Sequence, residues 1–341
     1  MIGNWRVLES IGNGGNATVF KVTDNDGNYF ALKRLNTVDE EKRARFNRES
    51  SFIGDYPILS QKQLLLPIID KDLTCEHPYY VMPLAIPLKK ITFDSLQSKC
   101  NAIIDVLEML SQLHKLGIAH RDIKPENILA YNNSFYLSDF GLMFIRDAKR
   151  ITKEADRERI GAKRTIAPEM ERKAGYDADP YKADIYSMAK TIWMILTEDY
   201  DCFEGQYDSN SAISLDRYDK IGSFDDGLIP SAPYFTPLDL LLTQCTDHAP
   251  NIRPSIDVVI KRFNFWIDVN HDYHLRNNSE WYEITDKLFP VKTPNTVVWT
   301  DLNDIISVLN FLCKYKSLAY VFLPRGGAHY KGVRKAEEER F

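Results

Sequence analysis

The hydrophobic pattern of this chain changes character near Pro83 and Leu84. Before that point the sequence runs in short stretches rich in β-branched and aromatic residues: Trp5-Arg6-Val7-Leu8, Thr18-Val19-Phe20-Lys21-Val22 and Tyr29-Phe30-Ala31-Leu32-Lys33. Such runs, bounded by turn residues, predict strands. Asp24-Asn25-Asp26-Gly27-Asn28 separates the last two and predicts a tight hairpin. Residues 38–54 predict a helix with Ala44, Phe46 and Ile53 available for packing, and Leu64–Ile69 and Tyr79–Leu84 return to strand character. From about residue 94 the period is helical: Ile103, Ile104, Leu107, Leu110, Leu113 and Leu116 recur at helix spacing before Gly117. Further helices are predicted over 180–197, 237–246 and 255–267. A strand-rich part followed by a helix-rich part predicts an α+β fold of two unequal lobes.

The chain of 341 residues is long enough for both lobes and an extension. In residues 269–341, Asp301–Lys314 predicts an amphipathic helix and Leu318–Leu323 a strand. Pro324 to His329 then reads as a turn or loop, with Gly326-Gly327 as its bend, and Arg334–Arg340 as a charged tail. A net charge of −5 gives no general reason to expect nucleic-acid or membrane affinity. The N-terminus lacks the basic and apolar regions of a secretory signal, and the longest apolar runs are too short to cross a bilayer. The five cysteines, at 75, 100, 202, 245 and 313, form neither a metal-ligand spacing nor a disulfide framework. These features are those expected of a cytoplasmic protein, with the oligomeric state left open.

Several stretches carry chemistry. Ile11-Gly12-Asn13-Gly14-Gly15-Asn16-Ala17-Thr18-Val19 is a glycine-rich turn between strands. Absent side chains let backbone amides approach phosphate oxygens, although a plain hairpin turn would also account for this pattern. Lys33 follows apolar Ala31 and Leu32, and a buried lysine needs a negative partner. Glu49 is the first choice for that partner, with Glu40 and Glu41 nearer the helix start. Further along come His120-Arg121-Asp122-Ile123-Lys124-Pro125-Glu126-Asn127, then Asp139-Phe140-Gly141, then Ala167-Pro168-Glu169.

In this order the stretches resemble the motifs of the eukaryotic-type serine/threonine protein kinase family, over about residues 5–268. The resemblance implies a bilobal kinase-like fold. Its small antiparallel-sheet lobe would span about residues 1–82 and its mainly helical lobe about 85–268, with residues 269–341 as a helix–strand extension of open role. It implies transfer of the ATP γ-phosphate to a serine or threonine hydroxyl of a protein substrate, with Mg²⁺. Asp122 would orient the attacking hydroxyl and Lys124 touch the transferred phosphate. Asp139 and Asn127 would hold Mg²⁺. Lys33, held by Glu49, would bind the α- and β-phosphates. Ile11, Gly12, Asn13, Gly14, Gly15, Asn16, Ala17, Val19, Ala31, Met82 and Leu84 would surround the nucleotide. Arg121 marks kinases often controlled by activation-loop phosphorylation, and between Asp139 and Glu169 the hydroxyl candidates are Thr152, preferred, and Thr165. Asp184 resembles the buried aspartate that anchors the catalytic loop, and Arg253 the partner of Glu169.

Three positions depart from the family pattern. Ala17 replaces the third glycine, Ala189 another glycine, and Ala162 the threonine of a Gly-Thr pair that bonds near the catalytic aspartate. Ala17 and Ala162 keep a nucleotide-binding pseudokinase scaffold as the alternative. A small-molecule kinase of the same fold is the third reading, against which Ala167-Pro168-Glu169 and Arg253 argue.

Overall fold

A computed structural model of the protein describes residues 1–14, 16–55, 65–146, 164–171, 178–224, 233–272, 275 and 301–312. Gly15, Thr152, Ala162, the Leu318–Leu323 strand, Gly326-Gly327, His329 and the charged tail lie outside them. By its internal contacts the chain divides into two units, Met1–Gly222 with Leu241–Lys261, and Ser223–Leu240 with Arg262–Phe341.

The first unit begins with an antiparallel sheet. Its strands are β1 (Arg6–Asn13), β2 (Ala17–Thr23), β3 (Tyr29–Leu35), β4 (Asp70–Asp72) and β5 (Tyr79–Pro83), in the order β1-β2-β3-β5-β4. The β2–β3 turn closes on Asp24, whose Oδ1 accepts the N–H groups of Asp26 and Asn28, while Gly27 takes a positive φ of 87°. Residues of these strands bury Val22, Leu32, Tyr79 and Val81 on one face, where Trp5, just ahead of β1, packs with them. Leu35 and Tyr80 pack with Phe46 of α1 (Glu40–Asp55). The strand expected over Leu64–Ile69 does not form in residues 65–69. Pro67 interrupts it by removing a ladder donor, so β4 begins only at Asp70, after Ile69 N–H has bonded the Val81 carbonyl at 2.8 Å.

Helix α2 (Leu96–Lys115) starts on a reciprocal cap between Ser95 and Ser98 and buries Ile103, Val106, Leu107, Leu110 and Leu113. It ends at Gly117, whose φ of 75° needs no Cβ. Short strands follow: β6 (Ile86–Pro87), ahead of α2, pairs with β8 (Ile128–Tyr131), which pairs with β9 (Ser134–Leu137). Likewise β7 (Ile118–Ala119) pairs with β10 (Phe144–Ile145). Then come α3 (Pro168–Glu171) and α4 (Pro180–Thr197). Asp179 caps α4 through the N–H groups of Tyr181 and Lys182, and from Ala183 to Thr197 every residue of that helix is buried.

Helices α5 (Thr236–Cys245), α6 (Ile256–His271) and α7 (Leu302–Leu312) complete the described residues. In the second unit, fully buried Trp266 donates its indole N–H to the Tyr234 carbonyl at 2.8 Å. Asn270 accepts the Tyr234 N–H at 2.7 Å, and the Phe224 and Phe235 rings pack on Trp266. Among the described residues no helix is long and apolar enough to cross a membrane, and no disulfide joins Cys75, Cys100, Cys202 and Cys245.

Candidate active site

The glycine-rich turn is the hairpin between β1 and β2. Gly12 pairs with Val19 and Asn13 with Thr18, and Gly14 N–H reaches the Ala17 carbonyl at 2.9 Å. Thr18 is buried, and its hydroxyl lies 2.8 Å from Asn13 Oδ1 and 3.0 Å from Asn36 Oδ1. Asn36 N–H also bonds the Asn16 carbonyl, which ties this hairpin to the end of β3. Ile11, Ala17 and Val19 are half-buried, and Asn13, Gly14 and Asn16 are exposed. On β3, buried Ala31 pairs with half-buried Met82 on β5, and Leu84 follows that strand.

Lys33 Nζ lies 2.7 and 3.0 Å from the two carboxylate oxygens of Glu49 and 3.1 Å from Asp139 Oδ1. Glu49 is buried on α1, whereas Glu40 is exposed and Glu41 pairs with Arg45 one turn along the same helix. Tyr80, opposite Lys33 in the β3–β5 register, donates its hydroxyl to Glu49 Oε1 at 2.9 Å. Nothing in the motif pattern marks Tyr80, and strand pairing is the only signal that could have found it. Burial works against the Lys33 charge, but Glu49, Tyr80 and Asp139 raise its pKa well above the ordinary lysine value. Lys33 in turn holds the Asp139 carboxyl below the ordinary range.

Asn127 and Asp139 flank one hairpin. β8 leaves Asn127 and β9 returns to Ser138, and the Asn132-Asn133 turn between them takes positive φ at both residues, 49° and 62°. That is the twist a two-residue hairpin requires, and asparagine tolerates it. Ser138 N–H closes on the Asn127 carbonyl at 2.8 Å, so the two side chains sit at the open end of the ladder. Asp139 itself has φ 64°. The next residue, Phe140, packs between Phe52 of α1 at 4.9 Å and His120 at 4.8 Å.

Asp122 is buried, and its Oδ2 accepts from Lys124 Nζ at 2.7 Å and Asn127 Nδ2 at 2.8 Å. Both contacts fall on one oxygen, so Oδ1 is left to accept from a hydroxyl. Asn127 Nδ2 also donates to the Asp122 carbonyl at 2.8 Å, which leaves the amide Oδ1 as the atom able to ligate a cation. The Asp139 side chain is 48% exposed, so its carboxylate is open to a ligand. Among the described residues no three His, Cys, Asp or Glu side chains gather as a metal cage. A hard cation on Asp139 and Asn127 would complete its shell from phosphate oxygens and water, the habit of Mg²⁺.

The backbone at His120 and Arg121 hangs on Asp184, fully buried in α4. Its carboxylate accepts the N–H groups of His120 and Arg121, both at 2.8 Å, and lies 3.0 Å from His114 Nε2. Arg121 sits at φ 69°, a strained backbone that these bonds hold in place. Buried Arg253 grips Glu169 with both terminal nitrogens, at 2.6 and 2.9 Å. Of the two hydroxyl candidates, Thr165 is buried and its hydroxyl is already bonded to the Ile123 carbonyl, so it is not an accessible acceptor.

The protein kinase domain family matches residues 5–263. A probable serine/threonine-protein kinase of Clostridium acetobutylicum is 28% identical over 222 residues, which is 62% of this chain and 32% of that protein. The serine/threonine-protein kinase PknL of Mycobacterium tuberculosis is 29% identical over 224 residues, 62% of this chain and 53% of PknL. A probable serine/threonine-protein kinase of Dictyostelium discoideum, drkC, is 29% identical over 275 residues, 75% of this chain and 34% of drkC. The matched regions thus span between 32% and 53% of the length of these curated relatives.

Proposed function

The chain belongs to the protein kinase family, and on that footing we propose that it transfers the γ-phosphate of ATP to a serine or threonine hydroxyl of a protein. The observation that carries this reading is the convergence of Glu49 and Asp139 on the Lys33 ammonium, from positions 16 and 106 residues away. Phosphoryl transfer asks a protein for positioning and charge neutralisation, and these groups offer both.

Lys33, fixed by Glu49 and Tyr80, binds the α- and β-phosphates. The β1–β2 hairpin, from Ile11 through Gly12, Asn13, Gly14 and Asn16 to Ala17 and Val19, offers backbone amides over them. Ala31, Met82 and Leu84 form the apolar wall for the base. Asp139 and Asn127 would hold Mg²⁺, which would supply charge neutralisation at the phosphates. Asp122 orients the acceptor hydroxyl through Oδ1. Lys124 offsets charge that develops on the transferred group. The acceptor is a protein, as the names of the serine/threonine-protein kinases it is similar to suggest, and the chain works in the cytoplasm, a reducing compartment that suits the thiols of the described cysteines.

The test is transfer from labelled ATP with Mg²⁺, comparing the chain with Asp122→Ala and mapping the product. Phosphate should appear on serine or threonine, and the variant should be slower by about a hundredfold or more. Equal transfer by both proteins, or ATP binding with no transfer to any protein acceptor, would overturn the proposal.

A further inference from the structure

Thr165 lies two residues before Ala167 and is 2% exposed. Its hydroxyl donates to the carbonyl of Ile123 at 2.9 Å. Ile123 is fully buried and sits between Asp122 and Lys124, the charged pair of the catalytic loop that meets at 2.7 Å. The carbonyl of Thr165 in turn accepts the Ser187 hydroxyl at 2.8 Å. Ser187 follows Asp184 by three positions on α4, so both point from neighbouring places on one helix face. Lys190, three positions further, donates to the carbonyls of Arg164 at 3.3 Å and Phe203 at 2.8 Å.

The helix therefore reaches the catalytic loop by two routes. Asp184 takes the N–H groups of His120 and Arg121 directly. Ser187 acts through Thr165 and meets the loop at Ile123. The second route fixes the peptide between Asp122 and Lys124. A rotation there would swing both side chains, whose mutual contact is 2.7 Å. Ala162, on the same stretch of sequence, has no hydroxyl with which to make such a tie.

We propose that Thr165 is a positioning residue for phosphoryl transfer: its hydroxyl, braced by Ser187, holds the Asp122–Lys124 backbone in register. The inference rests on the kinase reading of the site and deepens it. Removing the tie leaves Lys33, Glu49 and Asp139 untouched, so nucleotide binding is preserved while the chemical step suffers.

The experiment compares the full chain with Thr165→Val, Thr165→Ser and Ser187→Ala. It measures kcat, KM for ATP and amide hydrogen exchange over residues 120–127. Thr165→Val should lower kcat by about tenfold or more with KM for ATP within about twofold, because a misplacement of about 1 Å is costly to transfer. Thr165→Ser should recover kcat to within about threefold of the parent, and Ser187→Ala should show a milder loss of the same kind. An unchanged kcat in Thr165→Val, a serine variant as slow as the valine one, or an equal loss of ATP affinity would overturn the proposal. If Thr165→Val does not fold, Ser187→Ala decides by the same criteria. If the parent chain transfers no phosphate, the kinase reading fails and exchange alone judges the tie. Thr165→Val must then speed exchange around Ile123 and Lys124 by about tenfold while the β1–β5 sheet keeps its protection. Identical exchange in all variants rejects it.

Discussion

Lys33 holds two carboxylates of different standing. The Lys33–Glu49 pair is nearly buried, with side chains 14% and 7% exposed, whereas Asp139 is 48% exposed. Removing one partner of a buried pair costs about 3–5 kcal/mol, while an exposed contact contributes about 0–1 kcal/mol. Asp139→Asn should therefore shift unfolding by less than about 1 kcal/mol and still abolish transfer; Glu49→Ala should destabilise by about 3 kcal/mol or more. Urea denaturation beside a transfer assay checks both. The pH dependence has a fixed sign. Because Lys33 lowers the Asp139 pKa below 3.8, the folded state releases the proton more readily than the unfolded chain. The contribution of this contact is complete above that ordinary value and is lost as pH falls through the lower folded value. Lys33, raised from 10.5, keeps its charge throughout this window. The gap between the parent and Asp139→Asn should stay level from about pH 5 to 9 and close in stronger acid. A gap of the same size at pH 3 would mean that charge is not its origin.

Helix α4 organises the surrounding loops because from Ala183 on its whole circumference is buried, and Asp184, Ser187 and Lys190 satisfy their polar atoms on the backbone of neighbouring segments. Asp184→Asn keeps the shape but replaces an anionic acceptor with a single carbonyl. Two N–H groups, of His120 and Arg121, now compete for it, and Arg121 is held at a strained φ of 69°. Hydrogen bonds to a buried charge are worth about 1.5–3 kcal/mol, so the variant should lose about 2 kcal/mol of stability and more than tenfold in kcat. Thermal unfolding with steady-state kinetics tests this, and a variant with parental kcat would show that the strain at Arg121 holds without the anion. At this scale the sequence was most legible where the period was long. The repeat from Ile103 to Leu116 predicted α2, and Asp24 to Asn28 predicted the hairpin, because both signals are local. Leu64 to Ile69 misled because its apolar content suited a strand while Pro67 denied one. The side chains that tie elements together carry no such signal. Tyr80 meets Glu49, and Thr165 meets Ile123, only after packing has chosen the neighbours.

Across the whole chain, motif spacing identified candidate groups because each bears chemistry that few other residues supply, but spacing does not state distances. Lys33 and Asp139 are separated by 106 residues, and only the fold brings them to 3.1 Å. Glu169 and Arg253 are a second case, 84 residues apart. This pair joins α3 to the loop before α6, and Arg253 is fully enclosed. Its guanidinium also donates to the carbonyls of Asp247 at 2.8 Å and Lys182 at 3.0 Å, and lies over the Tyr186 ring at 4.8 Å. Glu169 is 16% exposed, so water can reach it when its partner is lost. The two single variants should therefore differ. Arg253→Met leaves the Glu169 carboxylate without its partner, takes a donor from the Asp247 and Lys182 carbonyls, and should cost about 3–5 kcal/mol. Glu169→Gln retains an acceptor for the guanidinium and should cost about 1–2 kcal/mol. Because the residues share one network, the double variant Glu169→Met with Arg253→Met should be less destabilised than the sum of its singles, by about 1–3 kcal/mol. Urea midpoints of the parent, Glu169→Met, Arg253→Met and the double variant close that cycle. Strict additivity would mean that Arg253 stabilises the fold through the carbonyls alone, with the ion pair contributing nothing of its own.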